Sequence, residues 1–205
     1  SAIVTHKMAT AAWRKNDSAR IYKAIPLATM TSENGLTTLV SCAFSRDHAV
    51  SRSRNYHHNY VQDITITQLD DDGNELYGTM LPLSQCVKTL DATFSPEMFC
   101  KRQQELPMQR NHPEQAYLRQ FMSFNAYMRK RDLFIIFNDY KQNFNNSVAG
   151  QGDTVYDFST TDAFYYKMDR KRVLTKHYLF DQAENGAFKS CLIESADFDE
   201  QRGVY

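Results

Sequence analysis

Polar and apolar residues alternate over short stretches of this chain, with the period of two expected of strands that bury one face. Residues 19–25 (ARIYKAI) alternate as far as Pro26, and a turn at Glu33-Asn34-Gly35 leads into a second strand over 36–44 (LTTLVSCAF). Residues 45–59 are polar and are expected to form a long loop. The clearest hairpin comes next. Residues 63–69 (DITITQL) alternate, Asp70-Asp71-Asp72-Gly73-Asn74 supplies a glycine able to take positive φ, and 75–81 runs back to Pro82. Further on, 123–128 meets 133–137 through Arg129-Lys130-Arg131-Asp132, and 163–168 meets 173–180 through a turn at 169–172. Between them, 138–152 is rich in Asn, Gln and Gly and reads as a surface loop, while 187–194 is a last strand.

Helical signals are few. Ser95 as N-cap, Pro96 in the first turn, Glu97 near the positive dipole end and a stop before Pro107 predict a helix over 95–105. A second is expected near 113–120, and residues 1–17 read as a weak amphipathic helix or an irregular lead-in. The expectation is an all-β fold of mainly antiparallel hairpins, propeller-like or a sandwich, with one or two short helices in a single β-rich domain. One internal echo supports successive hairpins: Arg129-Lys130-Arg131 recurs as Arg170-Lys171-Arg172, an offset of 41 residues that falls in the range of a propeller blade.

Composition narrows the function classes. A chain of 205 residues can bury roughly 70% of its unfolded surface, so it needs no staple for stability. Lys plus Arg balances Asp plus Glu at 24 each, which makes bulk electrostatic attachment to nucleic acid or anionic lipid a poor reading. The longest purely apolar run, 133–137, falls far short of the ~20 residues of a spanning helix. The N-terminal stretch has neither an initiator Met nor a signal-peptide core and reads as a mature or trimmed end, compatible with removal of an export signal. Cys42, Cys86, Cys100 and Cys191 are widely spaced without a CxxC, which gives structural zinc little support. Two disulfides, with Cys86–Cys100 the local pair, and four buried thiols fit equally well.

The candidate chemistry resolves mostly into turns and loops. An EF-hand frame on Asp70–Asn74 fails at its first and twelfth ligands, Gln68 and Thr79, and strands flank it where helices are required. His57 and His58, with His48 nearby, are adjacent and would point to opposite faces of a strand, so a solvated loop is the better reading. Arg46, Arg52 and Arg54 interleave with Tyr56 and Tyr60, a pattern suited to phosphate contact with base stacking, but the patch is short. Gly150-Gln151-Gly152 has no third glycine and no Lys-Ser/Thr, and neither G-x-S-x-G nor S-x-x-K occurs. Asn138, Asp139 and Asn143 at a strand end suit turn-locking hydrogen bonds to nearby backbone. No catalytic, cofactor or metal residue is therefore assigned.

Two segments carry a family likeness: Asn59–Asn74 with its continuation to Leu81-Pro82 and Gln85, and Leu133–Asn143 with its Phe137-Asn138-Asp139 core. Together with the Lys167-Met168-Asp169 hairpin ending in Leu179-Phe180-Asp181, this order resembles uncharacterised exported β-rich proteins of Bacteroidetes-type bacteria, over about residues 59–195. Tyr77 stands where those proteins commonly have Trp, and residues 86–115 form a longer insertion. The resemblance implies a portion of a longer, propeller-like precursor and brings no site residues. The functional expectation is a non-enzymatic exported binding or assembly module of the cell envelope, with a protein or glycan partner and nucleic acid disfavoured. The alternatives are a carboxylate-dependent glycan hydrolase, which needs two carboxyls ~5–9.5 Å apart in a pocket, and a structural subunit of a large assembly.

Overall fold

The computed structural model of the protein describes residues 24–32, 35–51, 54–89, 121–181 and 186–193. They fold as two antiparallel four-stranded meanders with strands in sequential order. The first sheet holds β1 (Ala24–Thr31), β2 (Thr37–Ser51), β3 (Arg54–Leu69) and β4 (Glu75–Thr89). The second holds β5 (Phe124–Arg129), β6 (Asp132–Asp139), β7 (Asp162–Met168) and β8 (Leu174–Tyr178). One hydrophobic core draws on both: Val40, Ile64, Ile66 and Leu81 from the first sheet meet Leu133, Ile135, Phe137 and Phe164 from the second. Fully burying each such side chain contributes about 1.5–3 kcal/mol. The all-β expectation holds, and the helices that lie wholly within the described residues are two single 3-10 turns, Lys141–Asn143 and Phe158–Thr160. The segments expected to be helical, 1–17, 95–105 and 113–120, lie outside the described residues.

Several boundaries differ from the sequence expectation, each for a physical reason. Residues 45–51 and 54–59 are not a loop. They extend β2 and β3 into a long hairpin arm in which Arg46 pairs Asn59 and His48 pairs His57. Its polar side chains mislead because an arm held by its backbone ladder needs no alternation of apolar residues. Pro26 does not end β1, since an edge strand tolerates a residue with no N–H, and the register shifts between Pro26 and Ala28. Pro82 likewise falls at a shift: Pro82 and Leu83 of β4 stand opposite the single residue Asp63, which takes a φ of 25°, and β4 runs on to Thr89. Residues 187–194 are not a strand as far as they are described. Asn138 donates to Cys191 O and accepts from Cys191 N, and Asp162 accepts from Lys189 N. Side chains thus take most of the backbone groups a ladder would use, and one backbone bond, Ala163 N to Lys189 O, remains.

The 41-residue echo has a definite place. Arg129-Lys130-Arg131 lies at the β5–β6 turn and Arg170-Lys171-Arg172 at the β7–β8 turn, so it relates two hairpins of one sheet and is not the period of a whole sheet. Polar bonds fasten the sheets at depth. Gln85 on β4, fully buried, donates to Asn138 O at 2.8 Å and accepts from Ser123 N at 2.6 Å. Beside it a parallel bridge joins β4 to the loop before β7, with Cys86 N donating to Val155 O and Val155 N to Ser84 O, both at 2.8 Å.

Candidate functional site: a cationic end formed by hairpin turns

Three hairpin turns share one architecture. Ser32, Asp70 and Asp169 each accept the N–H three residues on, from Gly35, Gly73 and Arg172, and bond through their own N–H to the oxygen four residues on. The fourth residue is left-handed in every case, with φ of 81° at Gly35, 83° at Gly73 and 65° at Arg172. Asp70 and Asp169 reinforce their turns alike: each carboxylate accepts the N–H groups two and four residues on. Asp70 also accepts from the Asn74 side chain, whose hydrogen bond holds its carboxyl below the usual range. The Asp70–Asn74 segment is thus a hairpin turn whose first carboxylate is occupied by its own backbone.

Glycine serves two of these turns, whereas the third carries an arginine. The β5–β6 turn repeats the exception, since Lys130 takes a φ of 56°. A non-glycine residue in left-handed backbone costs roughly 1–2 kcal/mol, and such outliers concentrate at functional sites. Both exceptions here are cations.

The strand order brings these two turns together. An open cleft of about 700 Å³ is lined by Arg129, Lys130 and Arg131 from one turn and by Lys167 and Arg170 from the other hairpin, with Phe134 and Asp132. A second, of about 600 Å³, shares Arg131 and Arg170, adds Lys171, Arg172 and Asp169, and reaches the first sheet at Ser32, Leu36, Gln68 and Leu76. Among the described residues, seven cationic side chains therefore face two carboxylates around the two clefts, in a chain whose total charge is zero. Both carboxylates are engaged: Asp169 by the backbone of its own turn, and Asp132 by Lys167 at 2.9 Å, which raises the Lys167 ammonium. Arg172 is held in place, its Nε donating to Gln68 Oε1 at 3.0 Å and its guanidinium 5.0 Å from the Tyr77 ring. That contact gives Tyr77 a role that its aromatic face alone explains.

Next to the first cleft, aromatic rings cross the outer face of the second sheet. Tyr127 and Phe134 lie 5.0 Å apart and nearly parallel, Phe134 is 6.1 Å from Tyr165, and Tyr165 stacks on His177 at 5.0 Å. Tyr127 with Phe134 and Tyr165 with His177 stack face to face while Phe134 and Tyr165 are tilted, so the row is a cross-strand packing ladder.

The buried polar groups have another task. Lys176, with a side chain 8% exposed, pairs with Asp139 at 3.4 Å and donates to Asn143 O at 3.0 Å. Its ammonium sits within 5.1–5.9 Å of the Phe164, Phe137, Tyr166 and Phe144 rings. Burial pulls the Lys176 ammonium down and pushes the Asp139 carboxyl up, each opposed by its partner's charge. Asp139 also accepts from Asn143 Nδ2 and Tyr140 N, and Asn143 reaches on to Asp153 N and O. Asp63 accepts Gly150 N at 3.0 Å, and a Cβ at Gly152 would meet Asn146 and Asn143. The 140–157 loop is held by its own side chains and by Asp63 of β3 and Lys176 of β8, and Gly150 and Gly152 serve that closure. Asn138 departs from the expected local pattern, since its partners Phe121 and Cys191 are far along the chain. Asp63 and Asp139 are 5% and 3% exposed and line neither cleft.

Of the other sequence candidates, Arg52 lies outside the described residues, as do the side chains of His48, Arg54 and Tyr56. Arg46 donates to Asn59 Oδ1 at 2.9 Å, and His57 and His58 follow one another along β3. No group of three or more His, Cys, Asp or Glu able to hold a metal occurs among the described residues. Cys86 and Cys191 are free thiols, raised by burial to about 11 and about 12. No described helix is long and apolar enough to cross a membrane. The basic turns were visible in the sequence as a repeat; what sequence could not give was their convergence, which depends on β6 pairing with β7. No family model, no curated protein and no solved structure matches the chain.

Proposed function

We propose that this protein is a non-enzymatic binding module that recognises an acidic glycan, one bearing sulfate or carboxylate groups, at the cationic end of its second sheet. The observation that carries the reading is the convergence of the two basic turns, which concentrates seven cations against two carboxylates in a neutral chain. Arginine forks match sulfate and carboxylate oxygens in pairs. The chain is neutral overall, so its remainder is net acidic, which confines the attraction for an anion to that end. Aromatic rings that pair off in stacks leave fewer faces for the base stacking that single-stranded nucleic acid needs, which favours a glycan. Acidic glycans belong to cell surfaces, where an exported protein of the kind the sequence resembles would meet them. Thiols raised as far as those of Cys86 and Cys191 are weak nucleophiles and can persist in an oxidising compartment.

The test is titration of the full chain with dextran sulfate, neutral dextran and single-stranded DNA at low and high salt. Saturable binding to dextran sulfate that weakens with salt, with none to dextran, is the expected result. Tighter binding to DNA, or no salt dependence, would overturn the reading.

A further inference from the structure

The two clefts differ in character. The first is walled by charge around Phe134. The second lies where the turns of both sheets meet, and three of its lining residues, Leu36, Leu76 and Met128, are apolar. Leu76 is 44% exposed although it has an aliphatic side chain at a strand start, and Val173, beside Arg172, is 54% exposed. Arg131, Arg170 and Lys171 surround this apolar surface, and Arg172 is fixed by Gln68 and Tyr77. A volume of about 600 Å³ is that of a small-molecule site. A bare sulfate would leave the leucines wet, and an uncharged apolar molecule would leave the cations without a partner.

From this juxtaposition, and resting on the anion-binding reading above, we infer that the second cleft is a subsite for an amphiphilic anion: a single sulfonate, phosphate or carboxylate on an apolar body. The anionic group meets Arg170 and Lys171 at the rim. The apolar body covers Leu36, Leu76 and Met128. On an acidic glycan, an apolar substituent beside a charged group would supply both halves.

The probe is 8-anilino-1-naphthalenesulfonate, titrated into the folded full chain by fluorescence, with uncharged N-phenyl-1-naphthylamine as control. One saturable site per chain is expected. Substituting Arg170→Gln and Lys171→Gln together should weaken it by about tenfold, the scale of a lost charge-assisted contact. Leu76→Asn should weaken it by roughly threefold or more through lost apolar cover. Binding of the naphthylamine as tight as that of the sulfonate, or binding unmoved by Leu76→Asn, would overturn the inference. If dextran sulfate binds and the sulfonate dye does not, this inference alone falls. If neither binds, the reading beneath it falls as well.

Discussion

Gly73 and Arg172 occupy the same position, the left-handed fourth residue, of two turns with the same hydrogen bonds in different sheets. A glycine is the unstrained choice there, so the arginine is held against a local cost. Lys130 repeats the exception without a comparable anchor among the contacts described above. Lys130→Gly should therefore stabilise the fold by roughly 0.5–1 kcal/mol, strain relief less the extra freedom of the unfolded chain. Arg172→Gly should give no gain, because it also removes the bond to Gln68 and the Tyr77 contact. Urea denaturation of the two variants side by side checks the contrast.

The hairpins were legible in the sequence because alternation and turn chemistry are local signals. Asp70–Gly73 and the two basic triplets lie where those signals place them. The long β2–β3 arm was not legible, since residues 45–59 are polar without alternation and the backbone ladder that holds the arm leaves no local signal. Gln85 and Asn138 gave no sign of joining the sheets, because their partners are 38 and 53 residues away for Gln85 and as far as 53 for Asn138. The cationic end was half legible: its residues stood out as a repeat, but their meeting in space depends on strand order.

Gln85→Leu keeps the size of the side chain and strands Asn138 O and Ser123 N in the core. Each stranded group costs about 1–3 kcal/mol, so the variant should lose roughly 2–5 kcal/mol of stability. A shift of the denaturation midpoint below that scale would show that water reaches this junction.

Removing one member of the Lys176–Asp139 pair should be worse than removing both. Asp139→Ala leaves a buried ammonium among aromatic rings and should cost about 3–5 kcal/mol. Asp139→Asn combined with Lys176→Met should recover much of that loss, since the amide can still accept from Tyr140 N. Thermal unfolding of the single and double variants measures the difference.

Burial raises the Asp63 carboxyl above its ordinary value of 3.8, more than the N–H groups of Gly150 and Leu83 lower it. Above 3.8 the native carboxyl retains a proton that the unfolded chain has released. Its contribution is therefore full below the ordinary value and is lost as pH rises through the native one. Asp63→Asn preserves the acceptor for Gly150 N and should flatten that part of the stability profile, as urea denaturation across the acid range would reveal.

Arg131 and Arg170 line both clefts, and both are exposed. Their joint replacement, Arg131→Gln with Arg170→Gln, should leave the melting temperature unchanged within about 1–2 °C. The decisive measurement is the affinity of that double variant for dextran sulfate beside the native chain at the same salt. The cationic-end account predicts a loss of at least about tenfold, with a shallower salt dependence. Equal affinity in a variant that melts like the native protein would contradict it.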